Sequence, residues 1–148
     1  MSTADPSTSQ TSYAFYDERR WPIVVVRPPE VPFDETAFAE HCQQIVAYFE
    51  RGQDFAFVVD VRHAAPVEAT YRRALAGQLD RCMLDHPNIR HYTALIIASA
   101  VQRGIVKAIG WLSGQPSQTR VFAALDDGIA WCKTLLAERE AERQQAPS

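Results

Sequence analysis

The chain has 148 residues, of which 47% are hydrophobic and 22% charged, and its formal net charge is −3. These totals are typical of one globular domain that folds around its own core. The negative charge argues against bulk electrostatic binding to nucleic acid or to an anionic membrane, although a local basic patch is compatible with it. No apolar run reaches the roughly 18 residues that a membrane span needs, so we expect no span.

The two ends of the chain differ in composition from the rest. Residues 1–12 are rich in Ser, Thr and Pro and lack the basic start and apolar run of a signal peptide, which predicts a disordered tail. Residues 144–148 (QQAPS) predict a second disordered tail. Residues 13–143 are therefore predicted to form a single α/β domain, and we expect the protein to be cytoplasmic.

The residues that most often carry chemistry show no catalytic or metal-binding spacing. The three cysteines, Cys42, Cys82 and Cys132, have no C-x-x-C pair, which predicts reduced thiols within helices. The histidines lack metal-ligand spacing, and no phosphate-binding glycine loop or nucleophile elbow occurs. We therefore predict no metal, no cofactor and no enzymatic activity. A deep pocket with a histidine of perturbed pKa beside a hydroxyl or carboxylate would instead indicate an enzyme.

The domain begins with two short apolar runs. Residues 13–16 (YAFY) and 22–27 (PIVVVR) predict two strands, and the polar residues 17–20 (DERR) predict the turn of a hairpin between them. The hairpin is expected at the edge of the sheet, because the rest of the chain alternates between strands and helices.

A first helix and a buried strand follow. Residues 34–51 carry apolar side chains at helical spacing, with Asp34 as the predicted N-cap and Gly52 as the residue that ends the helix. The apolar run 54–61 (DFAFVVDV) predicts a strand buried on both faces of the sheet. Residues 66–85 predict a second helix that ends before His-Pro-Asn.

Two further strand–helix units complete the pattern. Residues 91–98 (HYTALIIA) predict a second buried strand, and the capping-box pattern S-x-x-Q that begins at Ser99 predicts a helix to residue 112. Residues 118–123 (QTRVFA) predict the last strand, and residues 126–143 predict the last helix.

The predicted order is β-β-α-β-α-β-α-β-α. It indicates an α/β fold with a mixed four- to five-stranded sheet, an N-terminal β-hairpin and alternating helices. We expect strands 54–61 and 91–98 to lie side by side and parallel, so that the chain leaves both at one edge of the sheet.

Three stretches resemble the STAS family, named for sulfate transporters and anti-sigma factor antagonists, and in particular its divergent SpoIIAA-like bacterial members. They are FAFVVDVRHAAP (55–66), ALIIASAVQRGIVKAIGWL (94–112) and TRVFAALDDGIAWCKTLLAER (119–139). The resemblance covers residues 13–140 and lies in topology and pattern. It implies a STAS-like fold and a regulatory domain that binds another protein.

The same resemblance implies a phosphorylation switch in better-known members, whose serine lies in an Asp-Ser-Ser-Gly turn after the third strand. The matching stretch here, residues 60–70 (DVRHAAPVEAT), has no serine pair. Thr70 is its nearest hydroxyl and the candidate phosphosite. Relatives of this shape include binders of lipids and small ligands, so a binding function stays open.

Basic and polar residues follow the two central strands. Arg62 and His63 come after the first, and Ser99 and Arg103 come after the second. Ligands of parallel α/β sheets bind outside the carboxyl ends of the strands, where helix N-termini favour anions. These four residues are candidates for binding a phosphate or carboxylate. The alternative is that Ser99 only caps its helix and that the two arginines pair with Asp60 or Glu68.

The helix predicted to end at residue 112 is the candidate partner interface. Arg103 and Lys107 share one helix face, and Gly104 permits close approach of another backbone near Trp111. The alternative is a solvated face with simple helix–sheet packing.

These observations predict a non-enzymatic regulatory or scaffolding module that binds another protein, with a second copy of the chain as one candidate partner. The alternative function is binding of a small anionic ligand or lipid headgroup at the strand ends. The sequence does not identify the partner, the ligand, the pathway or the oligomeric state.

Overall fold

A computed structural model describes residues 8–10, 15–28, 30, 34–64, 68–102 and 118–145 of the chain. The strands and helices are β1 Thr8–Gln10, β2 Phe15–Arg20, β3 Ile23–Arg27, α1 Glu35–Phe49, β4 Phe55–Asp60, α2 Ala69–Asp85, β5 His91–Ile96, β6 Thr119–Phe122 and α3 Leu125–Gln145. Residues 100–102 are also helical.

The strands form one mixed sheet in the order β1-β2-β3-β4-β5-β6. The pairs β1–β2 and β2–β3 are antiparallel, whereas β3, β4, β5 and β6 are mutually parallel. Strands β4 and β5 run side by side from the pair Phe55–His91 to the pair Asp60–Ile96. The predicted α/β class, the N-terminal hairpin and the parallel central pair are therefore confirmed.

Helices cover both faces of the sheet. Alternate residues of β3 and β4, such as Val24 and Phe57, pack with α1 and α2 in one buried cluster. The intervening residues, such as Val25 and Val58, pack in a second cluster with Ile129 and other residues of α3. Because a strand points successive side chains to opposite faces, continuous apolar runs require this two-sided cover.

The predicted ends of α1 are confirmed. The carboxylate of Asp34 accepts a hydrogen bond from the backbone N–H of Ala37 at 2.8 Å, which caps the first turn. Gly52 follows the helix with φ of +76°, a conformation that disfavours residues with a Cβ. The cysteines Cys42 and Cys132 lie in α1 and α3 as free thiols, as does Cys82 in α2.

The turn of the hairpin lies later than the sequence predicts. Residues 17–20 belong to β2, and the chain reverses at Trp21-Pro22, which has a cis peptide bond. The charged run resembles a solvated turn in sequence, yet Asp17 is only 1% exposed. An ion pair with Arg19 compensates this burial, so that a strand accommodates the charge.

The sheet has one more strand than predicted. Residues 8–10 pair with β2, which corrects the predicted disordered tail for these three residues. The open edge of a hairpin offers unpaired backbone N–H and C=O groups, so even a polar segment adds to it. At the other end, α3 continues to Gln145 and so includes the first two residues of the predicted tail 144–148.

Two predicted helices extend beyond the described residues. Helix α2 begins at Ala69, and residues 66 and 67 of the predicted helix 66–85 are not described. The helix predicted to end at residue 112 is described only to Gln102.

Gly128 marks a close approach of α3 to the sheet. A Cβ there would lie 2.7 Å from Cδ1 of the buried Ile96 and 3.3 Å from Cβ of Ala94. Gly128→Ala should lower the free energy of unfolding by about 1–3 kcal/mol, because the helix or the Ile96 side chain must shift.

Urea denaturation measures this effect, with Gly77→Ala in α2 as the matched control. Gly77 has open space around its Cβ position. That substitution should stabilise the protein by about 0.5–1 kcal/mol, since alanine favours helix over glycine. Equal effects of the two alanines would contradict the close approach.

Candidate functional site

Three of the four predicted anion-binding residues lie at the carboxyl edge of the central strands. Arg62 and the exposed His63 follow β4, and Ser99 follows β5 at the start of a helical segment. The Ser99 hydroxyl accepts the backbone N–H of Gln102 at 3.3 Å, which is the predicted helix cap. Arg103 lies outside the described residues, so its place at this edge is not described.

The guanidinium of Arg62 is paired with Asp60. Its Nε and Nη2 atoms each donate to a different carboxylate oxygen of Asp60 at 2.8 Å. The backbone N–H of Arg62 donates to the same carboxylate at 3.2 Å. Arg62 thus takes the ion-paired state that the sequence analysis kept as an alternative to a ligand site.

The other predicted functional residues are separate from this edge or not described. Thr70 lies in the first turn of α2 and is exposed. The interface candidates Gly104, Lys107 and Trp111 fall, like Arg103, between residues 102 and 118, outside the described part of the chain.

A second ion pair in β2 repeats the geometry of Asp60 and Arg62. Nε and Nη2 of Arg19 donate to the two carboxylate oxygens of Asp17 at 2.9 and 2.6 Å, and its backbone N–H donates at 3.1 Å. In both cases a buried aspartate binds the arginine two positions later in the sequence. Arg19 lies in the same strand as Asp17, whereas Arg62 lies just past the end of β4. The hydrogen bonds from Arg19 lower the pKa of Asp17 to about 2.

Arg27 of β3 lies between these two ion pairs. Its Nη1 is 4.0 Å from the carboxylate of Asp17, and its charge also lowers the pKa of Asp60. Asp17 pairs with Val25, and Val25 pairs with Val58, so alternation places Asp17, Arg27 and Asp60 on one face of the sheet. This is the face on which α3 packs farther along the sheet.

Seven residues form the surface that we call the arginine face. They are Phe15, Asp17, Arg19, Arg20, Arg27, Asp60 and Arg62. Four guanidinium groups meet two carboxylates here, a local charge of +2 in a chain of charge −3. Phe15 pairs directly with Arg27 in the sheet and is 38% exposed.

This surface is not among the residues predicted from the sequence, although the sequence contains a signal for it. The pattern Asp-X-Arg occurs in DER (17–19) and in DVR (60–62). The first copy was interpreted as a turn, and only the strand register brings the two copies together across β3.

Two histidines are buried on the opposite face of the sheet. The ring of His91 lies 4.6, 4.8 and 5.7 Å from the rings of Phe55, Phe57 and Phe49. Its Nε2 is 3.0 Å from the Thr93 hydroxyl. Burial lowers the pKa of His91 to about 3. This histidine has the perturbed pKa and the hydroxyl neighbour expected of an active site, but phenylalanine rings enclose it and only 3% of it is exposed.

The second buried histidine links β2 to α1. The hydroxyl of Tyr16 and Nδ1 of His41 share a hydrogen bond, and the two rings stack. Burial lowers the pKa of His41 to about 4. Both histidines are therefore neutral at pH 7 and contribute to packing.

A cation–π contact lies at the amino end of the parallel strands. The guanidinium of Arg51 lies 4.2 Å from the ring of Trp21 and 5.0 Å from that of Tyr48, and Nη2 bonds Glu18 at 2.5 Å. Tyr48 also donates to Glu18 at 3.1 Å. This group joins β2 to the end of α1 and lies at the opposite end of the strands from Arg62.

Comparison with known proteins adds no family or neighbour. No protein-family model, no curated protein and no solved structure matches the chain. Within the described residues, no cluster of three or more side chains is arranged to hold a metal ion. None of the helices described there is long and apolar enough to cross a bilayer.

The buried histidines predict a loss of stability in mild acid. Their pKa values in the folded protein, about 4 for His41 and about 3 for His91, lie below the ordinary value of 6.5. Between pH 6.5 and these lower pKa values the unfolded chain binds more protons than the folded chain. The contribution of the two neutral histidines to the free energy of unfolding is therefore complete above pH 6.5 and falls as the pH decreases. The slope should approach about 1.4 kcal/mol per pH unit for each histidine.

Urea titrations at several pH values between neutrality and pH 4.5 measure the slope. His91→Leu should reduce it by about half, because one of the two buried groups is removed. His63→Gln, at an exposed position, is the control and should leave the slope unchanged. A wild-type stability that is constant over this range would contradict the burial of neutral imidazoles.

Proposed function

We propose that the chain is a non-catalytic interaction module that binds an acidic segment of another protein on its arginine face. The observation that carries the proposal is the exposed ring of Phe15 beside guanidinium groups held by two buried aspartates. A regulatory or scaffolding role is part of the proposal and agrees with the family resemblance of the sequence.

The composition of the arginine face is that of a binding surface. Arginine and aromatic side chains are enriched where protein interfaces derive most of their binding energy, because each combines a large contact area with directional bonds. Phe15 of β2 and Arg27 of β3 lie directly opposite each other in the sheet. A partner can therefore make an apolar contact and a charged contact at neighbouring positions.

Ion pairing with the aspartates also lowers the entropic cost of binding. A free arginine on a surface loses rotamer freedom when a partner immobilises it, at a cost of about 0.5–1.5 kcal/mol. The carboxylates of Asp17 and Asp60 hold their arginines before any partner arrives. The arginine side chains therefore lose less rotamer freedom when a partner binds.

Charge favours an acidic partner over a second copy of the chain. In a symmetric dimer the same patch meets itself, so two arginine faces would bring like charges together. An acidic segment is attracted both by the local charge of +2 and by the exposed donors of Arg20 and Arg27, whose ion pairs with Asp17 are 3.9 and 4.0 Å long.

A short peptide rich in glutamate and leucine is the probe for this proposal, and nuclear magnetic resonance titration locates its binding. The backbone signal of Phe15 and the side-chain Nε–H signals of Arg27 and Arg62 should shift. Arg27→Gln should weaken binding about tenfold, the cost of one well-placed charged contact. Phe15→Ala should weaken it without changing the net charge.

The matched control is Arg73→Gln, which removes one charge from an exposed position on α2. It should weaken binding less than about twofold, because distant surface charges are screened. Equal weakening by Arg27→Gln and Arg73→Gln would mean that only net charge matters, and would overturn the proposal. Binding to phosphatidylserine vesicles or inorganic phosphate but not to the peptide would overturn it as well.

A further inference from the structure

The repeated Asp-X-Arg arrangement specifies how one of the arginines is presented. Asp60 is buried, and its two carboxylate oxygens are occupied by Nε and Nη2 of Arg62. The carboxylate also accepts the backbone N–H of Arg62. With three bonds between two residues that are two positions apart, the guanidinium plane has one orientation.

This orientation leaves a defined set of donors on Arg62. A guanidinium has five N–H groups, and Asp60 takes one from Nε and one from Nη2. The outer edge, formed by Nη1 and the second N–H of Nη2, makes no bond to another described residue. The side chain is 31% exposed. Two parallel N–H groups on such an edge match the two oxygens of a carboxylate.

We infer that Arg62, oriented by Asp60, binds one side-chain carboxylate of the partner through the two donors of its outer edge. Asp60 is then a positioning residue, and the ligand class is a glutamate or aspartate side chain. The inference rests on the proposed function, since it names the group that the arginine face recognises. It adds that Arg62 contributes to binding through the orientation of its N–H donors and not through positive charge alone.

Removal of the Asp60 charge tests the inference by the sign of its effect. If Asp60 matters only as a charge, Asp60→Asn removes a repulsion and strengthens binding of the glutamate-rich peptide. If Asp60 orients Arg62, Asp60→Asn weakens binding, by about fivefold to tenfold. Thermal unfolding of the variant shows whether it is folded.

Arg62→Lys tests the two-bond contact directly. Lysine keeps the charge but is a point donor that cannot offer two fixed parallel bonds, so binding should weaken about tenfold. Arg73→Lys is the matched control, because Arg73 is exposed on α2, which packs on the opposite face of the sheet. This control should change the affinity less than about twofold.

The double variant Asp60→Asn with Arg62→Lys separates positioning from a general structural effect. A residue that acts only through Arg62 has nothing left to position, so the double variant should bind as Arg62→Lys does. Independent, additive losses would overturn the inference, as would an Arg62→Lys variant with wild-type affinity.

The two proposals fail in different ways. If Arg27→Gln and Phe15→Ala weaken peptide binding while Arg62→Lys and Asp60→Asn do not, the arginine face is the binding surface and the inference about Arg62 is wrong. If Arg27→Gln and Phe15→Ala have no effect, the proposed function itself is wrong.

Discussion

Strand β4 is hydrogen-bonded to a parallel neighbour on each side, and its first four residues, Phe55–Val58, are buried on both faces of the sheet. Such a strand is stable only if helices cover both faces, since each apolar side chain left in water would lose about 1.5–3 kcal/mol of burial free energy. This requirement places α1 and α2 on one face and α3 on the other. Because β3, β4 and β5 are parallel, their carboxyl ends lie at one edge of the sheet.

Helix α3 covers only part of its face of the described sheet, and the arginine face lies beside the covered part. Helix α3 packs against β4, β5 and β6, with Gly128 allowing its first turn to approach Ile96 closely. On β2 and at the end of β3 and β4 the same side of the sheet carries Asp17, Arg27 and Asp60. Among the described residues, the arginine face is thus the part of the sheet where ion pairs take the place of the packed helix.

The sequence predicts most of the fold because periodic apolar runs depend mainly on local pattern. Residues 55–59 (FAFVV) and 94–97 (ALII) are apolar without interruption, and the pairing of their strands as parallel neighbours follows from the intervening helix. The two ends of α1 follow from Asp34, whose carboxylate accepts the backbone N–H of Ala37, and from Gly52, whose positive φ favours glycine. These features depend on interactions within a few residues.

The candidate site depends on contacts between distant residues, which local pattern does not contain. The polar run 17–20 predicts a turn, and the compensation of the Asp17 charge by Arg19 and Arg27 becomes visible only with the register. The sequence predicts Arg62 at this edge and offers its pairing with a nearby carboxylate as one alternative, but the two-bond geometry with Asp60 is visible only in the structure. The exposure of Phe15 likewise depends on how the strands and helices are arranged in space.

The position of the two aspartates supports a role beyond stability. Val25 and Val58, their neighbours on the same face, show that valine fits these strands. A buried ion pair is often no more stable than well-packed apolar residues of similar volume, because desolvation of the charges offsets their attraction. What an aspartate provides and a valine does not is a fixed orientation for the arginine two residues later. Under the proposed function, the two pairs on either side of Arg27 supply the fixed donor direction that recognition of a carboxylate requires.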